Sequence, residues 1–218
     1  MTSRSEELAR NLNLVNEEIA SYSPTLIVVT KTYPVSDVEI LYKLGVRNFG
    51  ENRSSEGEEK AAVVDALWNY QGAIQSKKIR EILGWADCIH SLDQQGHAEK
   101  IDRILQEDGR NVDAFLQLSL DGDPERGGLI ESDLFALAAK ISEFPSISLL
   151  GLMSVPPVEM APEKAFATIK SIHQRFTSEF PRSPYLSAGM SGDYLIALDH
   201  GATHIRVGSK ILGSREYH

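Results

Sequence analysis

The sequence lacks the features of a secreted, membrane-spanning or nucleic-acid-binding protein. It has a single cysteine, Cys88, so no internal disulfide can form, and this usage favours a reducing compartment. It has no run of about 18 apolar residues, and its polar N-terminal segment lacks the apolar core of a signal peptide. Acidic residues outnumber basic ones by 31 to 22, and the net charge of −9 argues against binding to nucleic acid or anionic membranes. We therefore expect a cytoplasmic protein without a membrane span.

The histidines lack the spacing of a metal site, which needs several converging ligands. His200 and His204 are close in sequence, but Gly201 lies between them and interrupts any helix that would align them. We therefore expect no metal ion to bind. The sequence contains six histidines: His90, His97, His173, His200, His204 and His218.

What the sequence does contain is a regular alternation of short apolar segments with amphipathic ones. Its 42% hydrophobic and 24% charged residues are typical of a globular protein. Apolar segments that predict buried strands lie at 25–30, 46–49, 66–71, 86–90, 112–119, 147–152, 185–188 and 203–207. Eight strands alternating with helices predict an α/β fold, a single (β/α)8 TIM barrel over residues 1–218. An open doubly wound sheet is the alternative.

Local signals predict where the helices lie. An apolar stripe of Leu8, Leu12, Val15 and Ile19 predicts an additional N-terminal helix over 5–20. The segment Ser36–Glu39 has the spacing of a capping box at the start of the next helix. The other helices are predicted from about 53 to 64, at 76–83, 94–106, 132–141, 162–180 and 193–199.

One lysine follows the first apolar segment directly. Residues 26–29 predict a strand buried on both faces, and Lys31 lies just past its C-terminal end, where barrel proteins carry their functional side chains. A lysine desolvated there loses its proton more easily, and a neutral amine can attack an aldehyde to form a Schiff base. The alternative interpretation is a lysine whose stem packs while its ammonium reaches solvent.

Two loops near the C-terminus have the composition of a phosphate site. The segment 189–193 follows the seventh strand and contains Ser191 and Gly192, with backbone N–H groups of Gly192 and Asp193 expected to point outward. After the eighth strand come Gly208, which allows close backbone approach, and Ser209. In barrels, the loops after strands seven and eight frequently bind phosphate. An N-cap role for Ser191 is the alternative.

Arg206 lies just inside the end of the last strand. A guanidinium that faces a barrel interior is unfavourable unless it is paired. We therefore expect a carboxylate, a phosphate or a ring nitrogen beside it, with Glu51 or Asp193 as the candidate protein partners.

Five segments in order resemble those of one protein family: 28–32 (VVTKT), 49–52 (FGEN), 151–153 (GLM), 189–193 (GMSGD) and 205–209 (IRVGS). They are similar to the pyridoxal phosphate homeostasis proteins, the YggS/PROSC-like group that binds pyridoxal 5'-phosphate (PLP). The resemblance extends from about residue 8 to Gly213. It implies a fold like the barrel domain of alanine racemase standing alone.

The resemblance also implies roles for individual residues. Lys31 would hold PLP covalently as a Schiff base, and Arg206 would face the pyridine nitrogen. Asn52 would lie beside the ring and Met153 near the pocket wall. The phosphate would be held by Ser191, Gly192, Gly208 and Ser209.

These roles favour a binding protein over an enzyme. Arginine stays protonated and keeps the ring nitrogen unprotonated, which weakens PLP as an electron sink. A racemase also needs a second acid/base opposite the lysine, and no tyrosine is placed there by its spacing. The chain has the candidates Tyr33, Tyr42, Tyr70, Tyr185, Tyr194 and Tyr217. We therefore expect a monomeric protein that contributes to intracellular PLP (vitamin B6) homeostasis, with PLP-dependent apo-enzymes as recipients and no catalysis of its own.

Two alternatives remain open from the sequence. One is a PLP-dependent amino-acid racemase. The other is a cofactor-free aldolase in which Lys31 attacks a phosphorylated sugar. The chain also departs from the family pattern, with Ala73 where histidine is usual, Lys77 where asparagine is usual and Arg53 where an aromatic residue is common.

Overall fold

Eight parallel strands close into one barrel in chain order, as the computed structural model of the protein shows for residues 3–213. Tyr217 and His218 lie outside the described residues. The ring closes where β8 pairs with β1, with Thr25 opposite His204 and Val28 opposite Val207. The predicted (β/α)8 barrel is therefore confirmed, and the open sheet is excluded. The strands are β1 Thr25–Val29, β2 Asn48–Glu51, β3 Leu67–Tyr70, β4 Cys88–Leu92, β5 Val112–Leu118, β6 Ile147–Ser154, β7 Tyr185–Ser187 and β8 His204–Val207.

Helices follow the strands and surround the barrel. The additional N-terminal helix is confirmed, and its predicted apolar stripe is buried in the main apolar core. The helices are α1 Arg4–Ile19, α2 Val35–Lys43, α3 Ser54–Ala61, α4 Ile79–Leu83, α5 Gln95–Asp108, α6 Glu131–Ile141, α7 Pro162–Glu179, α8 Tyr194–Asp199 and α9 Ser209–Leu212, with a 3₁₀ turn at Ser76–Lys78. Within residues 3–213, no helix has both the length and the apolarity to cross a bilayer.

Some predicted boundaries were wrong, and the contacts explain why. The capping box at Ser36–Glu39 does not form, because α2 begins at Val35 with Pro34 at the N-cap position, so Ser36 already lies inside the helix. The sequence placed the start of β4 at residue 86, but the Ala86 N–H donates to the carbonyl of Ile82 in α4 at 2.9 Å, and β4 begins at Cys88. β6 extends to Ser154, because its last two residues pair with β5. The short helix α9 was not predicted.

The interior of the barrel differs from the layer between strands and helices. That outer layer forms one large apolar core to which residues such as Val28, Phe49 and Ile205 contribute. Inside the barrel lies a small separate cluster of Cys88, Phe115 and Met153, together with polar side chains that meet across the barrel.

Candidate functional site

A cavity of about 570 Å³ opens where β1, β7 and β8 end. β7 pairs with β8, and β1 pairs with β8 because the barrel closes, so residues far apart in sequence meet there. Of the predicted site residues, six line this cavity: Lys31, Ser191, Gly192, Arg206, Gly208 and Ser209. The other lining residues are Val29, Tyr33, Gln71 and Met190, so the described lining contains two cations and no carboxylate.

The turn that carries Lys31 is fixed by hydrogen bonds on both sides of it. The Thr30 N–H donates to the Gly50 carbonyl at 3.0 Å, and the Thr32 N–H donates to Glu56 Oε2 at 2.7 Å. Thr32 has a positive φ of 68°, which is uncommon for a residue with a side chain. The structure thus holds the Lys31 backbone at the rim of the cavity.

A buried ion pair, which no sequence pattern indicated, lies beneath this turn. The Lys60 ammonium donates to Glu51 Oε1 at 2.5 Å and to the Thr30 carbonyl at 2.8 Å. The Thr30 hydroxyl donates to the same Glu51 oxygen at 2.7 Å. Burial raises the pKa of the Glu51 carboxyl, while Lys60 and Thr30 oppose this shift. The pair connects α3 and β2 to the residue before Lys31, so it positions the lysine without lining the cavity.

The two glycine-containing loops are joined by one hydroxyl. Ser191 Oγ accepts from the backbone N–H groups of Gly208 at 3.2 Å and Lys210 at 3.3 Å. A Cβ at Gly208 would lie 3.0 Å from the Val29 carbonyl oxygen, so glycine lets the last loop approach β1 closely. The loops after β7 and β8 therefore form one unit at the cavity.

One expectation about these loops was wrong. The N–H of Asp193 does not point outward, because it donates to the Met190 carbonyl at 3.0 Å. The Asp193 carboxylate accepts from the Met190 N–H at 2.6 Å, and α8 begins one residue later, at Tyr194. Asp193 therefore closes its own turn and leaves the serine and glycine positions to face the cavity.

Arg206 is buried, and its partners are neutral. Its Nη1 donates to the carbonyl and the hydroxyl of Ser187, both at 2.7 Å, and its Nη2 donates to the Ser154 carbonyl at 2.9 Å. Neither Glu51 nor Asp193 accepts a hydrogen bond from Arg206, so the expectation of a paired carboxylate was wrong, although the Asp193 charge acts on the Arg206 pKa against the larger effect of burial. Burial lowers the pKa of Arg206 to about 10, so it remains protonated at neutral pH. Its charge is not cancelled by a hydrogen-bonded carboxylate among the described residues.

Asn52 and Met153 do not line the main cavity. Met153 borders a neighbouring cavity of about 280 Å³, where it lies with Gln71 and Ala73. The Asn52 Oδ1 atom is buried and has no hydrogen-bond partner among the described residues, and the same holds for Gln71 Nε2. Gln71 borders both cavities, and sequence reasoning did not identify it.

Sequence reasoning also missed the polar side chains below the cavity. His90 hydrogen-bonds to Ser187 and to Asn69, each at 3.0 Å. Burial lowers the pKa of His90 well below its usual range, and the charge of Arg206 acts in the same direction. The only available signal was a histidine inside a predicted buried strand. Across residues 3–213, no group of three or more His, Cys, Asp and Glu side chains is placed to hold a metal ion.

Comparison with known proteins places this barrel in a defined class. A family model of the alanine racemase N-terminal domain matches residues 4–216, so the chain is a barrel of this type. The pyridoxal phosphate homeostasis protein of Corynebacterium glutamicum is 43% identical over 201 residues, which cover 88% of this chain and 91% of that protein. That of Aquifex aeolicus is 30% identical over 199 residues, 88% of this chain and 87% of that protein. The chain belongs to the pyridoxal phosphate homeostasis protein family.

Solved structures agree with this assignment. PipY of Synechococcus elongatus, solved with PLP bound, superposes with a TM-score of 0.87 at 32% identity, covering 94% of this chain and 100% of that chain. Alanine racemase of Clostridium difficile has a TM-score of 0.82 at 16% identity, which shows a shared fold. That superposition covers 97% of this chain and 57% of the racemase chain.

Proposed function

We propose that this protein binds PLP covalently through Lys31 and contributes to PLP homeostasis without catalysis of its own. The observation that carries the proposal is the single cavity in which the Lys31 side chain and the two serine- and glycine-containing loops meet. The family relationship and the PLP-bound PipY structure support the same ligand.

The residues present fit the chemistry of PLP. The aldehyde of PLP supplies an electrophile with which a lysine amine condenses, releasing water. In this proposal, backbone and hydroxyl donors hold the phosphate, and Arg206 donates to the pyridine nitrogen. The cavity lining, with its two cations and no carboxylate, favours a ligand of negative charge. The phosphate group is assigned to Ser191, Gly192, Gly208 and Ser209.

Asn52 and Met153 are assigned by family resemblance alone, because neither borders the cavity. The Asn52 Oδ1 atom is buried without a hydrogen-bond partner among the described residues, and such buried oxygens normally have one. The groups that accept hydrogen bonds from Arg206 are all neutral, so no carboxylate in the described part of the chain takes up its donors. We also propose a cytoplasmic monomer that delivers PLP to apo-enzymes.

The tyrosines support binding without turnover. Among the tyrosines of the described residues, Tyr33 borders the cavity. Its hydroxyl donates to the Gly213 carbonyl at 2.6 Å. The Tyr70 hydroxyl likewise donates to the Ala73 carbonyl. Neither hydroxyl is available in this arrangement as the second acid/base that racemisation needs.

The test is reduction of the PLP complex with borohydride, followed by peptide mass spectrometry. Wild-type protein should turn yellow with PLP and carry the reduced cofactor on Lys31. Lys31→Ala should lose this adduct, whereas Lys43→Ala, which removes an exposed lysine of α2, should retain it. An adduct on other lysines, or PLP affinity unchanged in Lys31→Ala, would contradict the covalent assignment.

The racemase alternative has its own measurement. Deuterium exchange at the α-carbon of alanine and serine should proceed no faster with the protein than with free PLP. Exchange far above that rate would overturn the proposal of a protein without catalysis. Trapping of a ketose phosphate by borohydride, with no absorption change on adding PLP, would instead favour an aldolase.

A further inference from the structure

A directed chain of hydrogen bonds crosses the barrel interior below the cavity. The Asn69 amide Nδ2 donates to the Phe49 carbonyl at 3.0 Å, so its Oδ1 is the acceptor that faces His90. His90 Nε2 must then carry the hydrogen of the 3.0 Å contact with Asn69. The amide orientation and the tautomer both follow from this network.

The same reasoning fixes the other end of the chain. Ser187 Oγ accepts from Arg206 Nη1 at 2.7 Å, which leaves its own hydrogen to donate. That hydrogen points to His90 Nδ1 at 3.0 Å, the ring nitrogen that carries no proton in the assigned tautomer. One consistent direction therefore runs from Arg206 through Ser187 and His90 to Asn69.

We propose that His90 is a positioning residue, which acts through Ser187 to fix the guanidinium of Arg206 at the floor of the PLP cavity. This inference rests on the proposed function, because it assigns a role in PLP binding to His90, which does not line the cavity. His90 lies on β4 and Ser187 on β7, so the contact spans the barrel and no local sequence pattern connects the two residues.

The geometry explains how His90 acts on the arginine. Both hydrogens of Arg206 Nη1 are used by Ser187, and one hydrogen of Nη2 is used by Ser154. Two of the five guanidinium N–H groups lie outside these three contacts. The Phe115 ring stacks on the His90 ring at 4.5 Å between centroids and holds its plane.

Loss of the His90 acceptor would release this arrangement. Without this acceptor the Ser187 side chain loses a contact that holds it in its present rotamer, and a change of rotamer would take its oxygen away from Arg206 Nη1. A buried guanidinium with one hydrogen bond fewer can rotate into the cavity, where it would occupy ligand volume and present its donors at the wrong angle.

The experiment measures PLP affinity by absorption titration in four variants. His90→Leu removes the acceptor, and Ser187→Ala removes the hydroxyl with a smaller change of volume. We expect each to weaken PLP binding by about 10- to 100-fold, the range for a hydrogen bond to a charged group. The double variant should be no weaker than either single one, because both remove the same link. His90→Gln, which offers an oxygen acceptor and an N–H donor, should remain within about 5-fold of wild type.

His204→Leu is the matched control. His204 also faces the interior and contacts the Phe115 ring, but its hydrogen bond goes to Thr203 and it makes none to Ser187 or Arg206. Its variant should bind PLP within about 3-fold of wild type, provided that urea unfolding shows a folded protein.

Three results would overturn the inference. The first is an equal loss of PLP affinity in His90→Leu and His204→Leu. The second is an equal loss of PLP affinity in His90→Gln and His90→Leu. The third is a double variant whose loss of PLP affinity is the sum of the two single losses. If His90→Leu does not fold, Ser187→Ala and His90→Gln decide alone. Failure of wild-type protein to bind PLP would contradict the proposed function instead. The network would then be tested by nitrogen NMR of ligand-free protein, where any tautomer other than Nε2–H on His90 contradicts it.

Discussion

Removing the cation of the buried pair beneath the Lys31 turn should destabilise the protein strongly. The side chains of Lys60 and Glu51 are 4% and 0% exposed, and their charged atoms lie 2.5 Å apart. Lys60→Met would leave the Glu51 carboxylate buried without its cation, at a cost of about 3–5 kcal/mol. In a chain of this length, each kcal/mol lowers Tm by about 2–4 °C, so Tm should fall by roughly 6–20 °C.

The assay is urea unfolding, with the double variant Glu51→Leu/Lys60→Met as the control. Replacing both charges by apolar side chains removes the uncompensated carboxylate but also the partners of the buried Thr30 hydroxyl and carbonyl, so the double variant should be more stable than Lys60→Met and about 1–3 kcal/mol less stable than wild type. The free energy of unfolding should therefore recover in part when the second charge is removed. A loss below about 1 kcal/mol in Lys60→Met would refute the assigned role of this pair.

The penalty should also depend on pH, with a sign that burial sets. Burial raises the pKa of Glu51 from its usual value of 4.5, and removing Lys60 removes one of the groups that oppose this shift. A carboxyl with a raised pKa binds more protons in the folded state, so its stabilisation is complete below the unfolded pKa and is lost as pH rises through the folded pKa. The destabilisation of Lys60→Met should therefore be smaller at pH 5 than at pH 8. If Lys60→Met were destabilised equally at pH 5 and pH 8, burial of the Glu51 charge would not be the cause of its destabilisation.

Two further predictions test the packing around the site. A Cβ at Gly72 would lie 2.1 Å from the Asn52 carbonyl oxygen, so Gly72→Ala should destabilise the protein by about 1–3 kcal/mol in the same urea assay. Gly96 on α5 has open space around its Cβ position, so the control Gly96→Ala should be neutral or stabilising. Equal changes in the free energy of unfolding for the two variants would show that the close approach at Gly72 does not contribute to stability. Burial raises the pKa of the Cys88 thiol, so an aromatic disulfide reagent at pH 8 should label native protein slowly and denatured protein at one equivalent. Rapid labelling of native protein would show that the barrel interior is open to solvent.

Local sequence patterns were sufficient for the architecture. Strand and helix signals are short-range, and an apolar run such as 26–29 or a stripe such as that of α1 reports burial directly. The position of Lys31 after β1 and of the loops after β7 and β8 followed from the same patterns, because barrel sites lie where strands end. Family resemblance added the ligand, which periodicity could not name.

Tertiary structure decided which groups face each other. In a strand buried on both faces, apolar content does not reveal which residues point into the barrel, so the candidate protein partners named for Arg206, Glu51 and Asp193, are not the groups that accept its hydrogen bonds. The sequence pattern of α3 predicts a polar, exposed helix, yet Lys60 is buried, because Glu51 and the Thr30 carbonyl accept hydrogen bonds from its ammonium group. The contact between His90 and Ser187 exists only because strands far apart in sequence share one closed interior. Sequence determined the elements and their order, whereas barrel closure determined the partners of each buried charge, since those partners depend on distances in space and not along the chain.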